Sequence, residues 1–206
     1  MPLTRRRDQR ARHPAARCDG VPVRRRLLRA ASTRGVLDFQ DFFVRRRTEG
    51  HTREVIFDGR EKARPAPGVI EAIMEAEAVI LTPSNPLVSI GPILSIAGIR
   101  DALRASPARV AAVSPIVGGK ALKGPADRML RDQGIEPSAA AIAKLYEDFL
   151  DVLVIDNVDA ELEAQIESDA GEARGGGVEV IVTDTIMESM EKKAALARTV
   201  LKSVAA

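Results

Sequence analysis

Aromatic residues and cysteine are scarce in this sequence. Phe, Trp and Tyr make up 3% of its 206 residues, Trp is absent, and Cys18 is the one cysteine. Any core must therefore be aliphatic, and internal disulfides are excluded, as is typical of a protein from a reducing compartment. No apolar run approaches the roughly 20 residues that cross a bilayer, and the N-terminus lacks the apolar segment of a secretory signal. These absences predict a cytoplasmic protein without a membrane segment.

Side chains for metal or nucleophilic catalysis are also few. The two histidines, His13 and His51, are isolated from each other and from other metal-binding residue types. Cys18 has no plausible His or Asp partner, so the sequence indicates no nucleophilic triad.

Positive charge is concentrated at the N-terminus. Residues 1–47 contain 14 Arg and four Asp, whereas the rest of the chain has 17 basic and 25 acidic residues. Residues 1–34 show no hydrophobic periodicity, which is typical of a disordered leader or of translation from a wrong frame or start. A nucleic-acid-binding arm is the alternative. We favour the leader, because the aromatic residues that would stack on bases are absent there.

The sequence is more regular from Gly35 onward. Short runs rich in Val, Ile and Leu alternate with helical patterns, which predicts an α/β fold with a mostly parallel sheet and helices on both faces. Residues 36–44 form a strand or a short helix, and 175–177 form a glycine turn. The predicted strands are 53–57, 78–82, 109–114, 152–155 and 178–182. The predicted helices are 68–76, 89–96, 99–105, 125–133, 138–149, 159–168 and 186–204.

A proline-punctuated loop follows the strand at 78–82. Ligands in open α/β sheets bind at such carboxyl ends of strands, and free N–H groups at a helix start suit phosphate. The candidate ligand contacts are Ser84, Asn85 and the N–H groups of Ser89, Ile90 and Gly91. The alternative is that Ser89 only caps a helix whose first turn contains a proline, and both can hold together.

A second loop, residues 113–127, follows the next strand and is rich in Gly and Lys. Glycines let a backbone approach a ligand, and lysines supply charge for phosphate. The spacing is not that of a Walker A loop, and an ordinary loop with solvated lysines is the alternative. The candidate contacts are Gly118, Gly119, Lys120, Lys123 and Gly124.

Carboxylates flank the last two strands. Asp151, Asp156, Asn157 and Asp159 surround the strand at 152–155. Such oxygens can hold magnesium, but they more often cap helices, as we expect of Asp184 or Thr185 for the last helix.

Five segments together resemble the 2-phospho-L-lactate transferase family, whose actinobacterial members are phosphoenolpyruvate transferases. The resemblance runs from about Gly35 to the C-terminus. Its segments occur in the family's order and are 38–44, 83–94, 113–119, 123–127 and 183–187.

The resemblance implies a Rossmann-like three-layer fold and a specific reaction. Family members transfer a phosphoenolpyruvate or 2-phospho-L-lactate unit from a GDP-linked donor to the deazaflavin precursor Fo. They release GMP, require Mg²⁺, and act in coenzyme F-420 biosynthesis. A homodimer is also implied. The ten candidate contacts in the two loops would then touch the donor.

The sequence departs from the family at its front. The glycine-rich nucleotide loop, of GGTGTPK or GGVGGAK type, does not occur. We therefore expect an N-terminally truncated member, with a leader at 1–34 and the last two-thirds of the family's α/β domain at 35–206. Activity should be weak or absent, and no catalytic or metal-binding residue can be carried over. A non-catalytic nucleotide-binding fragment, or a regulatory relative of the same fold, stays open.

Overall fold

The structure is a computed structural model that describes residues 28–32, 35–169 and 176–205. The expectations for residues 1–27 and for the turn at Gly175 lie outside these ranges. The strands are β1 (Leu28–Ser32), β2 (Gly35–Asp38), β3 (Thr52–Phe57), β4 (Ala78–Leu81), β5 (Arg109–Val113), β6 (Ile116–Val117), β7 (Lys120–Ala121), β8 (Val152–Asp156) and β9 (Glu179–Thr183). The α-helices are α1 (Val69–Met74), α2 (Gly91–Leu94), α3 (Ile99–Ala105), α4 (Ala126–Asp132), α5 (Ala139–Tyr146), α6 (Glu163–Asp169) and α7 (Met190–Val204).

A four-stranded parallel sheet forms the centre of the fold. Its strands lie in the order β4-β5-β8-β9, and every neighbouring pair is parallel. The strand β8 is buried along its whole length. Continuous apolar runs such as Val152–Ile155 suit a strand that is covered on both faces. The prediction of an α/β fold with a parallel sheet is confirmed.

The two faces of this sheet bury alternating side chains of the same strands. Leu153 and Ile155 of β8 contact one core, to which α3, α4, α5 and α6 contribute. Val152 and Val154 contact a second core, formed with Leu196, Val200 and Val204 of α7. This alternation follows from the two-residue period of a strand, and it confirms that helices cover both faces.

A smaller antiparallel sheet, in the order β2-β1-β3, precedes the parallel one. Its central strand, Leu28–Ser32, falls inside the segment 1–34 that we expected to be a leader. The segment 36–44 contains both of the expected alternatives, because β2 is followed by a π-helical turn at Asp41–Arg45. Phe42 of that turn is fully buried.

Three helical segments begin two or more residues away from the predicted start. The helix expected at 89–96 begins earlier, as a π-helical turn at Pro86–Ile90 that continues into α2. The segment 159–168 starts as a 3-10 helix at Asn157–Leu162 before α6. The last helix begins at Met190 instead of 186.

Within the described ranges, no single helix is long and apolar enough to cross a membrane, and the bent pair Pro86–Leu94 and Ile99–Ala105 meets only the criteria of length and composition.

Replacing Leu153 by Ala should lower the free energy of unfolding by about 2–5 kcal/mol, because the change leaves a cavity in a fully buried strand. Urea unfolding followed by circular dichroism measures the effect. The matched control is Leu201→Ala, at a side chain of α7 that is 54% exposed, where we expect a change within about 0.5 kcal/mol. Equal losses in the two variants would contradict the placement of the core.

Candidate functional site

The carboxyl ends of the four parallel strands form one edge of the sheet, where ligands of open α/β folds bind. Four loops leave the sheet at this edge, at residues 82–85, 114–115, 157–159 and 184–189. The first two lead into the segments that carry the candidate residues, so both segments do follow neighbouring parallel strands. The acidic residues of the other two loops lie on the same edge.

Asn85 caps the turn at Pro86–Ile90. Its Oδ1 accepts hydrogen bonds from the N–H groups of Leu87 at 2.9 Å and Val88 at 3.2 Å. Its carbonyl accepts from the N–H groups of Ser89 and Ile90, at 3.0 and 3.1 Å. The N–H of Gly91 donates to the carbonyl of Pro86.

The expectation that the amides of Ser89, Ile90 and Gly91 are free is therefore wrong. The physical reason is that the helix starts three residues before Ser89, so these amides lie inside the first turns and are used there. Ser89 is not the cap. What the loop can still offer a ligand is the half-buried side chain of Ser84 and the exposed hydroxyl of Ser89. The Asn85 amide already has partners at both ends, because its Nδ2 donates to Met129 Sδ at 3.7 Å.

The glycines of the second loop form a tight hairpin. Strands β6 and β7 pair antiparallel across Gly118 and Gly119, whose φ angles of 56° and 74° are both left-handed. A two-residue connection of this kind needs positive φ at both positions. These two glycines are thus explained by the turn itself.

Lys120 and Lys123 are exposed, and neither makes an ion pair within the described part of the chain. Lys120 begins β7, and Lys123 lies between that strand and α4. Lysine side chains that no carboxylate neutralises remain available for phosphate oxygens. This pair is the feature of the loop best suited to an anionic ligand.

The segment around Gly124 faces a part of the chain that sequence reasoning did not connect with it. Gly124 and Pro125 share a concavity of about 530 Å³ with Arg47, Thr48 and Arg128, among others. Arg128 donates to both the carbonyl and the hydroxyl of Thr48. No local signal in the sequence marks this contact, because its two partners are 80 residues apart.

Two buried carboxylates lie at the carboxyl end of β8, Asp156 as the last residue of the strand and Asp159 in the 3-10 helix that follows it. Asp156 Oδ2 accepts from the N–H of Thr185 at 2.8 Å and from its hydroxyl at 2.9 Å, and Oδ1 accepts from Val158 N at 3.1 Å. Both oxygens of Asp159 accept from the N–H of Gly118, at 3.0 and 3.1 Å. Burial raises the pKa of Asp159, and the hydrogen bond from Gly118 opposes this effect only in part.

The other acidic candidates have different positions. Asp151 lies at the amino end of β8, where it accepts from Val110 N at 2.7 Å, so it is on the edge opposite to Asp156. The last helix is capped by Ser189, whose hydroxyl accepts from Lys192 N. Asp184 and Thr185 are not its caps, because they precede it by several residues; Asp184 instead pairs with Lys192 at 3.0 Å.

Within residues 28–32, 35–169 and 176–205, no three His, Cys, Asp or Glu side chains lie together in a way that could hold a metal ion. The oxygens of Asp156 and Asp159 already accept hydrogen bonds from the protein. These residues do not by themselves fit a magnesium site.

Replacing Asn85 by Ala should lower the free energy of unfolding by about 1 kcal/mol, because two N–H groups lose their acceptor. Chemical unfolding measures the loss. Asn157→Ala is the control, since this exposed residue should tolerate the same change within about 0.5 kcal/mol. An unchanged stability of Asn85→Ala would show that the cap is not formed.

The raised pKa of Asp159 predicts a pH-dependent stability difference. A carboxyl whose pKa is higher in the folded state favours folding while it is protonated, and this contribution is lost as pH rises from about 3.8 through the folded pKa. The Asp159→Asn variant lacks this titration. The free energy of unfolding of the variant, minus that of the unmodified protein, should therefore rise over this pH range. Urea unfolding at a series of pH values measures this difference. A difference that stays constant or falls would contradict the assignment.

Comparison with known proteins places these loops in a family. The model of the family described as "2-phospho-L-lactate transferase CofD" matches residues 24–186. The 2-phospho-L-lactate transferase of Methanocaldococcus jannaschii is 39% identical over 167 residues, which cover 81% of this chain and 50% of that protein. The enzyme of the same name from Methanothermobacter thermautotrophicus is 41% identical, with coverages of 82% and 52%. The phosphoenolpyruvate transferase of Kitasatospora aureofaciens is 38% identical, with coverages of 89% and 55%.

The fold also has a solved counterpart. The crystal structure of protein BH3568 from Bacillus halodurans, a member of the upf0052 family, superposes with a TM-score of 0.53 at 16% identity. The superposition covers 84% of this chain and 58% of the BH3568 chain. At this low identity the similarity is evidence for the fold and not for the function. The chain spans about half the length of the curated relatives it matches. On the match over residues 24–186, the chain belongs to the 2-phospho-L-lactate transferase CofD family.

Proposed function

We propose that this chain acts as a transferase in the biosynthesis of coenzyme F-420. It moves a phosphoenolpyruvate or 2-phospho-L-lactate unit from a GDP-linked donor to the deazaflavin precursor Fo, and GMP is released. The observation that carries the proposal is the family match, which runs through both candidate loops. The names of the relatives, 2-phospho-L-lactate transferase and phosphoenolpyruvate transferase, support the two transferred groups.

The chemistry needs positioning more than a covalent nucleophile. The terminal hydroxyl oxygen of Fo forms a bond to the phosphorus that carries the enolpyruvyl or lactyl group. The bond from that phosphorus to the bridging oxygen breaks, GMP leaves with this oxygen, and the hydroxyl proton passes to solvent water. The negative charge of the phosphates then makes the largest contribution to the activation barrier. Cations held in fixed positions lower this barrier.

Lys120 and Lys123 are the residues we assign to the donor phosphates, with Gly124 allowing a close backbone approach. Ser84 and Asn85, at the neighbouring strand end, would contact the same donor, as would Ser89. This arrangement is supported by the shared sheet edge and by the lysines, which have no ion pair within the described ranges. Sequence and structure assign no catalytic residue, so no side chain is named as a proton acceptor.

Mg²⁺ is part of the proposal, although the described residues offer no set of ligands for it. Magnesium often binds through one or two carboxylates together with substrate phosphates, and no step here depends on its position. A homodimer and a cytoplasmic location remain predictions from the sequence.

The direct test incubates the chain with each GDP-linked donor, Fo and Mg²⁺, and measures GMP by chromatography and the Fo phosphoester by mass spectrometry. We expect both products in equal amounts, formed slowly, because the sequence lacks the family's glycine-rich nucleotide loop. Removal of Mg²⁺ by EDTA should stop the reaction. Binding of GDP without any GMP release from either donor would favour the alternative, a non-catalytic nucleotide-binding fragment or regulatory relative. Absence of both GDP binding and GMP release would contradict the transferase proposal and the nucleotide-binding alternative alike.

Replacing Lys123 by Gln should weaken GDP binding about 10- to 100-fold, because a hydrogen bond to a charged phosphate contributes roughly 1.5–3 kcal/mol. Isothermal titration calorimetry gives the dissociation constants. The matched control is Lys202→Gln, an exposed lysine in the last turn of α7. That end of the helix lies beside the amino end of β5, on the opposite edge of the sheet, so this substitution should leave the constant unchanged. Equal effects of the two substitutions would mean that only the net charge matters.

A further inference from the structure

A second concavity lies behind the first candidate loop. It has a volume of about 540 Å³ and is enclosed by β3, the helical residues 86–95, the end of α4 and α5. This volume lies in the range of sites for small molecules. Pro86, Leu87 and Gly91 line it, but none of the glycines or lysines of the second loop does. It is therefore a separate place from the sheet edge that we assign to the donor.

The walls of this concavity combine apolar surface with positive charge. The apolar part consists of the side chains of Phe57, Leu87, Leu94 and Leu145. Arg53 and Arg60 line the opening, and neither makes an ion pair within the described ranges. Glu54 is the one carboxylate in the lining. Arg100 also lines it, but its guanidinium is held by Asp148 at 2.7 Å and lies over the ring of Phe149.

The most informative group is the side-chain amide of Gln133. Its Nε2 is buried and has no hydrogen-bond partner among the described residues, although Gln133 lines the concavity. A buried donor without an acceptor is costly, so native proteins rarely keep one without a reason. Tyr146 lines the same concavity, and burial raises the pKa of its hydroxyl, which therefore stays protonated and able to donate.

We propose that this concavity binds a small organic anion, whose carboxylate or phosphate oxygens accept hydrogen bonds from Gln133 and face Arg53 and Arg60. Among the described residues of the lining, the buried Nε2 of Gln133 is a donor and Arg53 and Arg60 are cations, against the single carboxylate of Glu54, which favours an acceptor-rich ligand. The apolar walls select for a ligand with a hydrophobic body. The site is independent of the proposed transferase activity, since it uses none of the residues assigned to the donor phosphates.

The test uses 1-naphthyl phosphate as the probe and uncharged 1-naphthol as its control, in fluorescence titrations with the full chain. We expect saturable binding of one probe per chain, with much weaker binding of 1-naphthol. The Arg53→Gln, Arg60→Gln double variant should weaken binding at least about tenfold, since it removes two cations. The double variant Lys193→Gln, Lys202→Gln removes the same charge from α7 and should change nothing.

Gln133→Leu separates a binding role from a structural one. Because the Nε2 of this amide has no hydrogen-bond partner among the described residues, its removal should leave the free energy of unfolding unchanged or raise it. The same change should weaken probe binding about threefold to tenfold. In nuclear magnetic resonance spectra, the side-chain amide signal that disappears in this variant should be the one that shifts when probe is added to the unmodified protein.

Three results would overturn the proposal. The first is binding of naphthol as tight as that of naphthyl phosphate. The second is an unchanged probe affinity in both the Gln133 variant and the arginine double variant. The third is full displacement of the probe by GDP, which would place the probe in the donor site.

Discussion

The hydrogen bonds of the Asp156 carboxylate hold the candidate site together. This buried side chain closes the carboxyl end of β8 against the segment that follows β9, through both donors of Thr185. Its second oxygen starts the 3-10 helix at Asn157–Leu162. That helix places Asp159 directly under the N–H of Gly118, so the hairpin that ends in Lys120 is fixed by the same chain of contacts. A carboxylate with three donors is well satisfied where an unpaired one would be costly.

A second set of polar contacts fixes the antiparallel sheet on the parallel domain. Asp132, at the end of α4, accepts from the N–H of Thr52 and pairs with His51, both at 2.7 Å. A carboxylate at a helix C-terminus is disfavoured by the helix dipole, and these two donors offset that cost. Together with the bond from Arg128 to Thr48, they bring Arg47 to the concavity beside Gly124 and Arg53 to the concavity lined by Gln133. The positions of these cations thus depend on long-range contacts of α4.

The parallel sheet could be predicted from the sequence because its signals are local. A run such as Val152–Ile155 needs burial on both faces wherever it lies in the chain. The hairpin at Gly118 and Gly119 was also within reach, since two adjacent glycines between short β-forming pairs are a known signal for such a turn. Its flanking strands are only two residues long, however, so the periodicity that announces a strand is missing.

The remaining features could not be predicted, for identifiable reasons. Asn85 and Ser89 are both good N-caps, and only the backbone at Pro86 decides between them. The contact of Arg128 with Thr48 and that of Asp132 with Thr52 join residues 80 apart. Asp151 and Asp156 flank the same strand, but they lie at opposite edges of the sheet. Only the parallel arrangement of the strands shows that Asp156 is at the edge where the candidate loops lie.

The four glycines of the two loops are required for different physical reasons. A Cβ at Gly91 would lie 2.9 Å from the carbonyl oxygen of Pro86 and 3.3 Å from the ring of Phe57, so the close packing of β3 on this turn requires a glycine there whether or not a ligand binds. Gly118 and Gly119 are required by the hairpin. At Gly124 the φ angle is +75° and nothing lies within 4 Å of a Cβ, so only its backbone conformation is constrained and its surroundings are open. Of the four, Gly124 is therefore the one whose position beside Lys123 leaves room for a donor phosphate.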